Sequence, residues 1–301
     1  MTATPHATPH APPHAHPSPL LKILLRLTLL FALLPALLWG VACLYLWFAQ
    51  ERLLFKPVLT LPDQPLSTGP DVHERHVDVP GARLSVLELR LPDPKGVVFF
   101  LHGNSGNLQE WFVNTEVYRQ AGMDLVMMDY RGYGKSSGRI RSEAELHADV
   151  DAVWQSVAAR YQGRRVVVYG RSLGSALAAT LAARLQPDLT ILVSPYESMA
   201  ALARQHYPWV PQALLRYPLR TDAAVARLHR PLLLVHGSLD ALIPPSHSRA
   251  LLALAPSARQ VDIDGAGHGD VHEFEAYRCL MAQALEASTC TTRSLPSRLA
   301  S

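Results

Sequence analysis

Ten residues, VVVYGRSLGS at 166–175, constrain this chain more than any other stretch. A run of β-formers ends on Ser172, which has a glycine two residues to either side, and an alanine-rich segment starts directly after it. Valine and tyrosine favour a strand, alanine and leucine favour a helix, and the little chain between them predicts a tight strand-to-helix turn with the serine at its apex. The same grammar recurs. A hairpin is expected over 73–79 and 83–91 around Pro80 and Gly81, followed by apolar strands at 96–101, 124–128, 165–169, 189–193, 231–235 and 259–263. Helical stretches intervene, among them 142–160, 173–185, 246–254 and 271–285. Continuous apolar strands alternating with helices predict an α/β fold: a mostly parallel central sheet with helices on both faces. The 301 residues suffice for one such domain plus appendages. Functional groups in such sheets gather at the carboxyl ends of the strands.

Glycine-rich turns stand at those ends. Gly170-Arg171-Ser172-Leu173-Gly174 fits G-x-S-x-G between a strand and a helix, a context in which a strained backbone projects the serine Oγ and the glycines leave room for neighbouring chain. A serine that merely caps the helix is the structural alternative. As a nucleophile Ser172 needs a base, usually a histidine oriented by a carboxylate. Of 14 histidines, His268 lies in a glycine-rich loop just past the last strand and is the expected base. His272 is its nearest rival, while His102 and His236 sit at tight turns that read as structural. Asp240 is the expected acid, in the chain order Ser, Asp, His, with Asp264 and Asp270 as rivals. The backbone N–H groups of Leu173 and Asn104 are the expected oxyanion donors. No spacing of cysteine and histidine forms a metal site or indicates a disulfide, and no metal or organic cofactor is expected.

The amino-terminal part has a different composition. Residues 1–19 hold six prolines, four histidines and, after Met1, no large apolar side chain, a composition expected to stay disordered. Residues 27–50 form an uncharged run of 24, long enough as a helix at ~1.5 Å per residue to cross a ~30 Å hydrocarbon layer. A single-pass membrane anchor over 20–50 is expected, with a cleaved signal or an acylated Cys43 as competitors; flanking charges tie at two against two, so the side of the membrane stays open. A linker at 51–70, a catalytic-sized domain at 71–288 and a tail at 289–301 complete the division. The net charge of +3 comes from 28 scattered Lys and Arg, which excludes the basic stripe of a nucleic-acid binder.

Together HGNSGN (102–107), DYRGYGKSSG (129–138), GRSLGS (170–175), HGSLDALIP (236–244) and GAGHGD (265–270) resemble the α/β-hydrolase superfamily over residues 71–287. Within it they resemble membrane-anchored serine hydrolases whose eukaryotic relatives include protein depalmitoylases. The resemblance implies an α/β-hydrolase fold, Ser172, Asp240 and His268 as nucleophile, acid and base, Asn104 and Leu173 as oxyanion donors, and a bracing role for 129–138. The expected substrate is a small or lipid-derived acyl ester or thioester, the lipid-derived kind suggested by the anchor, while related sequences span esterases, thioesterases and peptidases. A short cap is expected between residues 193 and 231, where Tyr207, Trp209 and Tyr217 either line an acyl site, dip toward lipid or simply pack the cap. A peptidase of similar fold and a non-catalytic scaffold are the competing functions.

Overall fold

A computed structural model describes residues 19–66 and 69–287, so the expectations for the two terminal tails lie outside the described residues. The chain divides after Phe48 into two compact units. The first is the greater part of α1 (Pro19–Leu54), which carries its apolar side chains, Phe31, Leu37 and Phe48 among them, exposed. The helix is long and apolar enough to cross a membrane. Pro35 lies inside it.

In the second unit the end of α1 runs straight into β1 (Lys56–Pro57), within the 51–70 stretch expected as a linker. Then follow β2 (Val72–Val79), β3 (Ala82–Leu89), β4 (Gly96–Leu101), β5 (Ser105–Gly106), α2 (Leu108–Trp111), α3 (Glu116–Ala121) and β6 (Met123–Met128). Next come α4 (Glu143–Ala158), β7 (Arg165–Arg171), α5 (Leu173–Leu185), β8 (Leu189–Val193), α6 (Met199–His206), α7 (Thr221–Val225), β9 (Leu232–Gly237), α8 (Ser246–Leu252), β10 (Ala258–Ile263) and α9 (Glu275–Ala284). The expected helix over 271–285 is interrupted, because Phe274 adopts an extended backbone between a short turn at Val271–Glu273 and α9. Cys279 on α9 is disulfide-bonded, which its spacing did not indicate.

Eight strands form one sheet in the order β10-β9-β8-β7-β4-β6-β3-β2, and only β3 runs against the rest. The period of two along a strand sorts side chains onto opposite faces. Val97, Phe99 and Leu101 of β4 meet α4 and α5 through Val150, Trp154 and Leu177, while Val98 and Phe100 meet α3 and α9 through Tyr118, Ala121 and Met281. Both faces are buried, which is why the strands read as unbroken apolar runs; each large apolar side chain so enclosed contributes ~1.5–3 kcal/mol.

The cap is short, consisting of α6, a 3-10 turn at Gln212–Leu214 and α7. Its aromatic residues divide. Tyr217 is fully buried, edge-on to Phe55 with ring centroids 5.2 Å apart, whereas Tyr207 and Trp209 are exposed. Gln50 and Glu51, in the last turns of α1, clasp this segment. Gln50 Nε2 donates to Leu214 O (2.7 Å), the Arg216 N–H donates to Gln50 Oε1 (2.8 Å), and Tyr217 OH donates to Glu51 Oε1 (3.0 Å).

Candidate active site

Ser172 sits between β7 and α5 at φ 51°, ψ −120°, a conformation that side-chain-bearing residues seldom adopt. The strain falls on the serine itself. Its two flanking glycines are needed for space: a Cβ on Gly174 would lie 2.1 Å from Leu101 O, and one on Gly170 would lie 2.5 Å from both Ala178 Cβ and Gly174 O. Neighbouring chain thus presses on the turn from both sides. The Ser172 N–H donates to Val193 O (2.9 Å), and Ser175 Oγ donates to Ser172 O (2.6 Å), so the turn is held from within the sheet and from the helix.

Two strand ends, those of β9 and β10, deliver the other groups. Ser172 Oγ lies 3.0 Å from His268 Nε2, and His268 Nδ1 lies 2.8 Å from Asp240 Oδ2. Gly237, at the end of β9, permits this closeness, since a Cβ there would stand 2.4 Å from Ala266 O in the His268 loop. The second carboxylate oxygen, Asp240 Oδ1, accepts the N–H groups of Leu242 (3.1 Å) and Ile243 (2.8 Å). Burial of Asp240 works to raise its pKa, but hydrogen bonds from His236, His268 and the Ile243 N–H outweigh it and hold the carboxyl well below the usual carboxylate range. Asp240 is therefore ionised at neutral pH. With Nδ1–H directed at that carboxylate, His268 presents the lone pair of Nε2 to the serine hydroxyl.

The rivals are engaged elsewhere. Asp264 Oδ1 accepts from Ser238 Oγ (3.2 Å), and Asp270 Oδ1 accepts the Gly267 N–H (2.7 Å), closing the turn before His268. His236 is buried, with Nε2 2.6 Å from Ile243 O and Nδ1 2.6 Å from Ser248 Oγ, and thus braces the Asp240 loop. His102 directs Nδ1 at Gly103 O (2.8 Å).

Neither Asn104 nor Leu173 has a hydrogen-bond partner for its backbone N–H among the described residues. Around the Asn104 loop the structure adds what motif reading missed. The Lys56 N–H donates to Asn104 O (2.8 Å) and also approaches Tyr133 OH (3.1 Å), while Tyr133 OH donates to Asn104 O (2.7 Å). β1 pairs in parallel with β5, Lys56 opposite Ser105 and Pro57 opposite Gly106. The segment leaving α1 is in this way built into the loop carrying Asn104. No local pattern announces it, because two residues make too short a strand for any periodicity. The 129–138 loop braces from the other side: Asp129 Oδ1 accepts the Leu108 N–H (2.9 Å), and Arg131 forms a buried bidentate pair with Asp149 (2.6 and 2.7 Å). Tyr133→Phe should lower stability by about 1 kcal/mol in urea unfolding. It should also cut kcat by up to roughly tenfold, because a misplaced donor loses transition-state stabilisation. An unchanged kcat at lowered stability would separate Tyr133 from the placement of Asn104.

A cavity of about 750 Å³ contains Ser172, Asn104 and His268. It runs over the sheet face formed by Val98, Phe100, Tyr169 and Ile191, between Val117 on α3 and Met281 on α9. Tyr207, Trp209 and Tyr217 do not line it, so the cap aromatics are not its walls. No group of three or more His, Cys, Asp or Glu side chains among the described residues is arranged to hold a metal.

Residues 92–221 match the family model described as serine aminopeptidase, S33. An uncharacterised protein of Mycobacterium tuberculosis is 32% identical over 246 residues, covering 75% of this chain and 83% of that protein. Alpha/beta hydrolase domain-containing protein 17B of Xenopus tropicalis is 31% identical over 206 residues, covering 65% of this chain and 69% of its own length. Among solved structures, an esterase of Pyrococcus furiosus superposes with a TM-score of 0.60 at 16% identity, over 77% of this chain and 97% of that one, a likeness of fold alone.

Proposed function

The chain belongs to the α/β-hydrolase family, and we propose that it is a serine hydrolase, tethered to a membrane by α1, that cleaves carboxylic esters or thioesters through an acyl-enzyme. The observation that carries this reading is the unbroken relay from Ser172 Oγ through His268 to Asp240, at 3.0 and 2.8 Å. In the first half-reaction Oγ attacks the acyl carbon as its proton passes to His268 Nε2. The Asn104 and Leu173 N–H groups receive the developing oxyanion; each such donor is worth on the order of 3 kcal/mol in the barrier. Collapse of the tetrahedral adduct breaks the bond to the alcohol or thiol, which leaves with the proton from Nε2. Water then attacks the acyl-serine with His268 again as base, the acid departs, and Oγ regains its proton.

The cavity supports an acyl substrate, since Phe100, Ile191 and Met281 give it an apolar wall, with charged side chains such as Glu116 and Arg278 also in its lining. The unit that does this work is the domain over 71–288, joined by the 51–60 stretch that packs into it, with α1 as a single-pass anchor. A peptidase reading draws on the matched model's description. The two separate in one experiment on the full-length protein in detergent: p-nitrophenyl esters from acetyl to palmitoyl beside aminoacyl p-nitroanilides, with Ser172→Ala as control. Turnover of esters, its loss in Ser172→Ala and fluorophosphonate labelling of the wild type alone are the expected results. Anilide cleavage exceeding ester cleavage would replace the esterase reading with the peptidase one, and equal ester turnover by Ser172→Ala would end both.

A further inference from the structure

The residue just before the candidate nucleophile is a cation in an unusual setting. Arg171 is 8% exposed, yet it forms no ion pair among the described residues. Taking a guanidinium out of water costs several kcal/mol unless its N–H groups and charge find other partners, so what surrounds it reveals what it holds. One terminal nitrogen, Nη2, donates to Gly269 O (2.9 Å) and more weakly to His268 O (3.3 Å). The other, Nη1, donates to His272 Nδ1 (3.2 Å). Two of these acceptors belong to the loop that carries His268, and the third, His272, lies in the short turn that follows it. The flat of the guanidinium lies 5.2 Å over the Trp111 ring, and Trp111 Nε1 in turn donates to Ser105 O (2.7 Å), next to Asn104.

We propose that Arg171 is a positioning residue, whose guanidinium fastens the His268 loop to the strand bearing Ser172 and so sets the imidazole against the serine hydroxyl. This rests on the triad reading of the preceding section. The need for such a fastening follows from the loop itself: Gly265-Ala266-Gly267-His268-Gly269 holds three glycines in five residues, and glycine loses more conformational freedom on ordering than any other residue. The imidazole is also 22% exposed, so packing alone does not enclose it. A displacement of about 1 Å in such a group costs on the order of 10²-fold in rate. The arrangement also accounts for His272, the rival base. Burial, with Arg171 beside it, keeps the His272 pKa below the usual value, and its Nδ1 lone pair is occupied by a guanidinium N–H. Arg171 lines the same cavity as Ser172, so the competing assignment is a direct contact with substrate.

A kinetic double-mutant cycle on the full-length protein in detergent distinguishes these, using an activated aryl ester whose residual turnover remains measurable in the absence of the base. Arg171→Met keeps the reach and removes every donor. It should lower kcat by roughly 10²-fold with KM within about threefold. In the His268→Ala background the same substitution should change turnover by less than about threefold, because its effect passes through His268. Arg171→Lys, which retains the charge and one donor, should recover part of kcat, and it takes the place of Arg171→Met in the cycle if that variant fails to fold. Equal losses in both backgrounds, or a raised KM with unchanged kcat, would overturn the positioning role and leave the triad standing. Wild-type turnover in His268→Ala alone would remove the triad, and this role with it.

Discussion

His268→Ala should lower ester turnover by roughly 10⁴- to 10⁶-fold, the scale set by removing a base that serves both halves of an acyl-enzyme cycle. The hydroxyl of Ser172 would then have no acceptor for its proton, because the other imidazoles are committed. His236 is tied to Ile243 O and Ser248 Oγ, and His272 Nδ1 faces Arg171. Fluorophosphonate labelling should fall in parallel. The fold should persist, since the ring leaves no core cavity: it is 22% exposed, and Asp240, which it deserts, keeps two backbone N–H donors. A loss of one hydrogen bond costs about 1 kcal/mol, or ~2–4 °C in melting temperature for a domain of this size. Turnover within tenfold of wild type, in protein that melts normally, would reject His268 as the base.

Asp240→Asn should reduce kcat by about 10⁴-fold through the tautomer it imposes. The N–H groups of Leu242 and Ile243 both point at Oδ1, so the amide oxygen of an asparagine must occupy that position. Its NH2 group is then left facing His268 Nδ1. An amide donor there demands an acceptor, which drives the ring proton to Nε2 and blocks the nitrogen that should receive the serine proton. The same substitution has a pH signature. Because the Asp240 carboxyl is held below its ordinary value in the folded protein, ionisation of this group stabilises the fold at pH values above the ordinary carboxylate pKa of about 4. That contribution fades as the pH falls from there toward the depressed value. The gap in urea midpoints between wild type and Asp240→Asn should therefore hold steady from pH 7 to about pH 4 and begin to narrow below it. Midpoints that stay parallel, or a fully active Asp240→Asn, would move the orienting role away from this residue; Asp264 and Asp270 are engaged with Ser238 and Gly267.

What a reader of the bare sequence can find depends on how far along the chain the cause lies. The turn at Ser172 is announced within ten residues, since strand, glycines and helix are adjacent there and the close approach of Leu101 O to Gly174 leaves no other residue admissible. The strands of the parallel sheet announce themselves as apolar runs because both of their faces are buried. The apolar length of α1 is equally local.

His268 and Asp240 were legible as residues at strand ends, but their meeting with Ser172 depends on the order β10, β9, β8 and β7 in the sheet. Of the pairing of Lys56 with Ser105 there was no sign at all, nor of the cavity between α3 and α9, which motif reading would have sought under the cap aromatics. Sequence alone therefore determined the α/β architecture and the strained serine, because propensity, periodicity and steric room act between near neighbours. Only the tertiary structure decided what surrounds that serine: the seam with the segment leaving α1, the face on which the cavity opens and the hydrogen bonds of Arg171 to residues 268, 269 and 272. Each of these joins segments tens of residues apart, and a hydrogen bond or a packed ring carries no trace of its distant partner in the local order of residues.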